Sequence, residues 1–285
     1  MRVALEVAYQ SRHHDLATKL KLLQDIGPVC LNLDLNGMRI GIPWQLNDVK
    51  TMHGARYEPF RHVLSILKDA GATPIHDFVI VGAKRYENLS TEEKQIILDR
   101  DMKHAINTYL SSLTGNPSRI NNLQDLIDFT KSCPEEDYPR RNVAGLERAQ
   151  ATDPSDELYL KMLALNASFT GDGGIHGALS RHRCEVLLVP TLSTTLQTFA
   201  AKAGSPVVSV PMGSYSTGTE VEKDEKNGLV NVAPGIPFSV YIFGRATKDE
   251  DVLRVAYVVE QMTRVREKLR PFLEPRTEIG DVLGR

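Results

Sequence analysis

Apolar positions recur with two different periods along the chain, and the change of period predicts its elements. Leu16, Leu20, Leu23 and Ile26 lie at helical spacing among His13, His14, Lys19 and Lys21, which predicts an amphipathic helix over residues 1–26, stopped by Gly27-Pro28. Alternation over 38–42, ended by Pro43, predicts a strand. Phe60, Val63, Leu64 and Leu67 then share one face of a helix over 55–70, with Gly71 as its stop and a second strand expected over 75–81. Strand, helix, strand in that order marks a parallel crossover unit.

The middle of the chain reads as helical. Ser90-Thr91-Glu92-Glu93 is a capping box opening a helix to about Ser111, and Asn121-Asn122 starts a shorter one over 123–131. Residues 134–153 read as surface loop with one helical turn, and a helix beginning near Ser155 reaches toward Phe169. Thr170-Gly171-Asp172-Gly173-Gly174 separates it from a helix over 175–182. Strand texture follows: 184–189, 206–211 between two prolines, and 237–243, where Phe238, Val240 and Ile242 alternate with polar neighbours. A small-residue turn of helix is expected at 200–204, a polar hairpin-like insertion at 214–227, and a last helix over 248–269 carrying Val252, Val255, Val259 and Met262. No repeat or low-complexity linker appears, so one α/β domain is the expected count.

Composition narrows the function classes. Lys plus Arg number 34 against 36 Asp plus Glu, a net charge of -2, which argues against a general nucleic-acid binder. The longest apolar runs, such as Val186-Leu187-Leu188-Val189, fall far short of the ~20 residues of a membrane helix. Glu6 interrupts the first apolar stretch, a poor secretory signal, so a cytoplasmic location is expected. Cys30, Cys133 and Cys184 form no CxxC pair and support neither a disulfide framework nor a zinc site.

Candidate chemistry is thin. Ser214-Tyr215-Ser216-Thr217-Gly218 approaches a G-x-S-x-G elbow, but serine replaces the first glycine and no buried strand feeds Ser216, so a solvated loop is the better reading. Cys184 lies two residues after His182, yet it leads into an apolar strand and reads as a small buried hydrophobe. His13, His14, His53 and His62 have no metal-ligand spacing. The 170–174 loop lacks the third glycine of a dinucleotide fingerprint and the Lys of a P-loop. The acidic run Lys248-Asp249-Glu250-Asp251 suits a helix start. No catalytic, cofactor-binding or metal residue is assigned from the residues alone.

Four segments in order carry a resemblance: Leu35-Asn36-Gly37-Met38-Arg39-Ile40-Gly41-Ile42-Pro43, Cys184-Glu185-Val186-Leu187-Leu188-Val189-Pro190-Thr191, Ala203-Gly204-Ser205-Pro206-Val207-Val208-Ser209-Val210-Pro211-Met212-Gly213, and Gly235-Ile236-Pro237-Phe238-Ser239-Val240-Tyr241-Ile242-Phe243-Gly244-Arg245. Together they resemble the C-terminal part of the amidase signature family, over roughly residues 35–270, with 121–153 most like fungal-type members. The resemblance implies an α/β fold with a mixed, largely buried sheet flanked by helices. It divides the chain into a helical extension, 1–34, and an amidase part, 35–285. It also implies carboxamide hydrolysis by a Ser nucleophile, a second Ser and a Lys base, with no cofactor.

Those three residues belong to the family's other half. Ser11 is the only serine before residue 35, and Lys19 and Lys21 have no serine pair to activate. The expectation is therefore a polypeptide inactive by itself, its small-molecule amide substrate implied by family alone. The alternative is a non-catalytic fragment that self-associates or pairs with a chain carrying the missing half.

Overall fold

The computed structural model describes residues 32–269 apart from Pro154, Asp156 and Lys226. The helix expected over 1–26 lies outside the described residues. The described residues form two compact units: one from residues up to Ile80 and from Ile175 onward, the other from Val81–Gly174.

The first unit is built on a five-stranded sheet. β1 (Arg39–Gly41) leads through a helical turn at Asn47–Lys50 into α1 (Tyr57–Asp69) and back to β2 (Thr73–Ile75), which lies parallel to β1. β3 (Val186–Val189) joins the other side of β1, also parallel. The strands β4 (Val207–Ser214) and β7 (Pro237–Gly244) complete the order β2-β1-β3-β7-β4, with β7 antiparallel to both neighbours. A separate two-stranded ribbon, β5 (Glu222–Lys223) with β6 (Val230–Val232), forms the polar insertion. The sheet is mixed and flanked by helices, as the sequence predicts.

Alternation puts Val186 and Leu188 into one apolar cluster with Val240, Ile242, Phe60, Val63, Val255 and Val259, all close to fully buried. α1 therefore packs on the sheet beside the long C-terminal helix Asp249–Thr263. Two glycines permit close approach. A Cβ on Gly41 would overlap the Phe78 ring, and one on Gly244 would overlap a methyl of Val252.

The second unit is helical: α2 (Ala83–Glu87), α3 (Thr91–Ser111), α4 (Leu123–Ser132), α5 (Ala144–Gln150) and α6 (Glu157–Thr170). The Ser90 hydroxyl accepts from Glu93 N–H at 3.1 Å while the Glu93 carboxylate accepts from Ser90 N–H at 3.0 Å, so the predicted capping box is present. Its apolar cluster is small, with Leu123, Ile127, Val143 and Ala149 at the centre.

Four expectations need correction. The segment 75–81 pairs as a strand only up to Ile75, although Phe78 and Ile80 are buried and Val79 is exposed. Side chains replace the ladder there: the Gln45 amide, oriented to suit its neighbours, donates to Phe78 C=O at 3.0 Å and accepts from Ile80 N–H at 2.9 Å. His182 Nε2 accepts from Val79 N–H at 3.0 Å. The 134–153 stretch contains a seven-residue helix, α5, rather than one turn. The short helix at 200–204 begins earlier, as α8 (Thr194–Ala203) following α7 (Ile175–His182), because the Ser193 hydroxyl caps Leu196 N–H. The last helix, α9 (Asp249–Thr263), stops where Arg264 adopts φ 47°, and only a turn at Val265–Lys268 follows.

Candidate functional site

The crossover β1-α1-β2 moves one way across the sheet, and β3-α8-β4 moves the other. Right-handed crossovers running in opposite directions place α1 and α8 on opposite faces, which opens a crevice between the carboxyl ends of β1 and β3. Open α/β sheets take their ligands at such a switch point. Two bonds span it here. The Asp48 carboxylate, after β1, accepts from Thr194 N–H, after β3, at 3.0 Å. Arg56 Nη1 donates to Thr191 Oγ1 at 3.2 Å.

Arg56 is the centre of this constellation. Its Nε donates to Tyr215 Oη at 3.0 Å, and its guanidinium lies 5.8 Å from the Tyr215 ring centroid and 5.6 Å from that of Phe238. The two rings meet edge to face at 5.0 Å. Tyr215 is buried, and its loop is tied to the turn before β7: Tyr215 N–H donates to Ile236 C=O and Gly235 N–H to Tyr215 C=O. His53 packs edge-on against Tyr215 at 5.1 Å, and its Nδ1 accepts from Ala55 N–H. Further along, Trp44 Nε1 donates to Nδ1 of the exposed His76 at 3.2 Å.

The residues singled out from sequence scatter. Cys184 precedes β3 at the sheet's other end, and burial pushes its thiol up to about 11, against any thiolate role. Ser216 is exposed, its Oγ 3.3 Å from Thr219 Oγ1. His182 supports Val79 and packs on Phe78, and His62 is exposed on α1. In the 170–174 loop the N–H groups of Gly171, Gly173 and Gly174 are bound to carbonyls of the preceding turn, so they do not cradle an anion. The acidic run opens α9 as expected. Among the described residues no group of three His, Cys, Asp or Glu is placed to hold a metal. His13 and His14 lie outside the described residues, and of the others His53 joins the Arg56 constellation. Arg56 itself went unread, though a cation at a helix start, where the positive helix end repels it, is a signal in the sequence.

The chain is 31% identical over 252 residues to a protein of Arthroderma benhamiae named as a candidate amidase, a match spanning 87% of this chain and 41% of that protein. The fold superimposes on the native peptide amidase of Stenotrophomonas maltophilia with a TM-score of 0.64 at 21% identity, over 87% of this chain and 47% of that one.

 The peptide amidase in complex with the competitive inhibitor chymostatin superimposes with a TM-score of 0.65, also at 21% identity, over 87% of this chain and 48% of that one. A bacterial aryl acylamidase of the amidase signature family matches with a TM-score of 0.52 at 15% identity, over 85% of this chain and 48% of that one. The chain is amidase-related and has the amidase signature fold. No family model matches it. It spans under half the length of these relatives. The β1–β3 switch point and the Arg56 constellation are the candidate site among the described residues.

Proposed function

We propose that this chain supplies the sheet and the crevice wall of a carboxamide hydrolase and does not hydrolyse amides by itself. What supports this reading is the β1–β3 switch point, whose hydroxyls among the described residues, Thr191 and Ser193, bond Arg56 and Leu196 N–H and no lysine or histidine base. Acyl transfer needs a nucleophile, a base and oxyanion donors held together. Ser216 faces Thr219, Cys184 is buried at the sheet's other end, and Lys248 is engaged with Glu250 at 3.2 Å. A Ser–Ser–Lys set would come from a further segment of polypeptide.

A second reading, a non-catalytic fragment that pairs with a chain carrying that set, draws on the sheet edges. Among the described residues β2 pairs only with β1 and β4 only with β7, and Val207 at the β4 edge is 41% exposed.

Turnover of acetamide, benzamide and an amidated dipeptide by the purified chain tests the first reading, together with labelling by a fluorophosphonate, which marks activated serines. No turnover above buffer and no labelling are expected. Turnover that disappears in Ser216→Ala or Cys184→Ala would overturn it.

A further inference from the structure

The Arg56 side chain has an unusual set of partners for a cation. Its five N–H groups form a planar fork. One is given to the Tyr215 hydroxyl and one to the Thr191 hydroxyl, both neutral acceptors, and the guanidinium also lies against the Tyr215 and Phe238 rings. Nε and Nη1 are thus anchored on opposite sides of the fork. No hydrogen bond of Nη2 is found among the described residues, so Nη2 and the second N–H of Nη1 are left for an anion.

Among the described residues no carboxylate forms an ion pair with Arg56. Glu58, two residues on, faces Arg61 at 3.3 Å, Glu222 faces His53 at 3.8 Å, and Asp48 accepts from Thr194 N–H. Arg56 closes the short 3-10 turn Gly54–Arg56 and immediately precedes the 13-residue helix α1, whose N-terminal end opposes a positive charge. A cation retained against that field, fixed at two atoms and flanked by aromatic rings at the mouth of a ligand crevice, is preorganised for an anion.

We propose that Arg56 is the anion-recognising residue of this crevice and that the ligand is a carboxamide that also carries a carboxylate. The carboxamide half of this statement rests on the proposed function; the carboxylate half rests on Arg56 alone. The Tyr215 and Thr191 hydroxyls act through Arg56 as positioning groups, holding the fork so that its outer edge meets both carboxylate oxygens.

Isothermal titration of the full chain with succinamate and with succinamide separates the two halves, because the ligands differ only in one carboxylate. Succinamate should bind at least about tenfold more tightly than succinamide, the discrimination that a charge-assisted hydrogen bond provides. Arg56→Met should abolish that preference, and Arg56→Lys should keep part of it, since the charge remains but the fork is lost. Tyr215→Phe, which keeps the charge and frees one anchor, should weaken succinamate binding less than Arg56→Met. Equal binding of the two ligands, absence of binding by both, or an unchanged preference in a folded Arg56→Met variant would overturn the assignment. The comparison on the parent chain needs no variant, so it decides the matter even if Arg56→Met fails to fold. Binding of succinamide alone would overturn the carboxylate proposal while leaving the amidase reading intact, and hydrolysis by the chain would bear on that reading alone.

Discussion

In the sheet unit Val186, Leu187, Leu188 and Val189 are all fully buried, whereas α3 of the helical unit runs for 21 residues and buries only Ile96 and Asp99. The sheet unit derives its order from apolar area and from close contact at Gly41 and Gly244. The helical unit relies more on polar devices. Arg148 pairs with the buried Asp99 at 2.6 Å, Lys103 Nζ donates to the carbonyls of Gln150 and Thr152, and Ser90 and Glu93 close the capping box. The lesson is that the candidate site sits on the unit ordered mainly by apolar burial, which depends less on salt and pH than the caps and ion pairs of the helical unit do.

The largest test of this difference is a cavity. Leu188→Ala, at a strand buried on both faces, should cost about 3–5 kcal/mol in denaturant unfolding, since little of the surrounding sheet is free to collapse. Ile127→Ala in the helical unit should cost nearer about 2 kcal/mol, because its small cluster relaxes more readily. Equal losses would break the comparison.

Gly244→Ala comes next. The new methyl would meet Val252, on the helix packed against the strand end, and the strain should amount to about 1–3 kcal/mol. Adding Val252→Ala should recover most of it, measured as a double-mutant cycle.

Ser90→Ala removes the hydroxyl that receives Glu93 N–H and should cost about 1 kcal/mol, read as faster amide exchange in the first turn of α3 and little change in the sheet.

The smallest effect is one of sign. The backbone hydrogen bond from Ser90, aided by Lys161, holds the Glu93 carboxyl below its ordinary value. Its contribution is present above the unfolded value and lost as pH falls through the folded one. Burial, reinforced by Glu250 and opposed by Lys248, holds the Asp251 carboxyl above its ordinary value. The folded chain binds that proton more tightly, so its contribution is present below the unfolded value and lost as pH rises through the folded one. Asp251→Asn should therefore raise stability at neutral pH by under about 1 kcal/mol, a half-solvated charge being screened, and should leave it unchanged in acid. A gain in acid instead would reverse the sign.

What was legible in the sequence followed the same division. The strands β1, β3, β4 and β7 stood out because buried strands are apolar and bounded by Pro or Gly, and their shared sheet follows from the four ordered motifs. The strand expected over 75–81 misled because burial alternates there without a neighbouring strand; Gln45 and His182 supply its hydrogen bonds from distant positions. The start of α8 was hidden by the β-branched pair Thr194-Thr195, which weakens a helical reading until the Ser193 cap is recognised. Thr191 lay within a recognised motif and Tyr215 within a loop read as solvated, but their meeting with Arg56 spans 135 and 159 residues. Such a constellation is a property of topology, and no local period encodes it.

The helical unit is inserted, along the chain, between the two segments of the sheet unit. β1 meets β3 through Ile40 with Val186 and Gly41 with Leu187, so those strands pair only after the whole insertion has been made. During synthesis at about 5–20 residues per second, β1 therefore waits on the order of ten seconds for its partner. Until then the β1-α1-β2 crossover has no neighbour on its β3 side, and the crevice does not exist. The switch point is thus a late product of synthesis, because it needs both of the strands that flank the insertion.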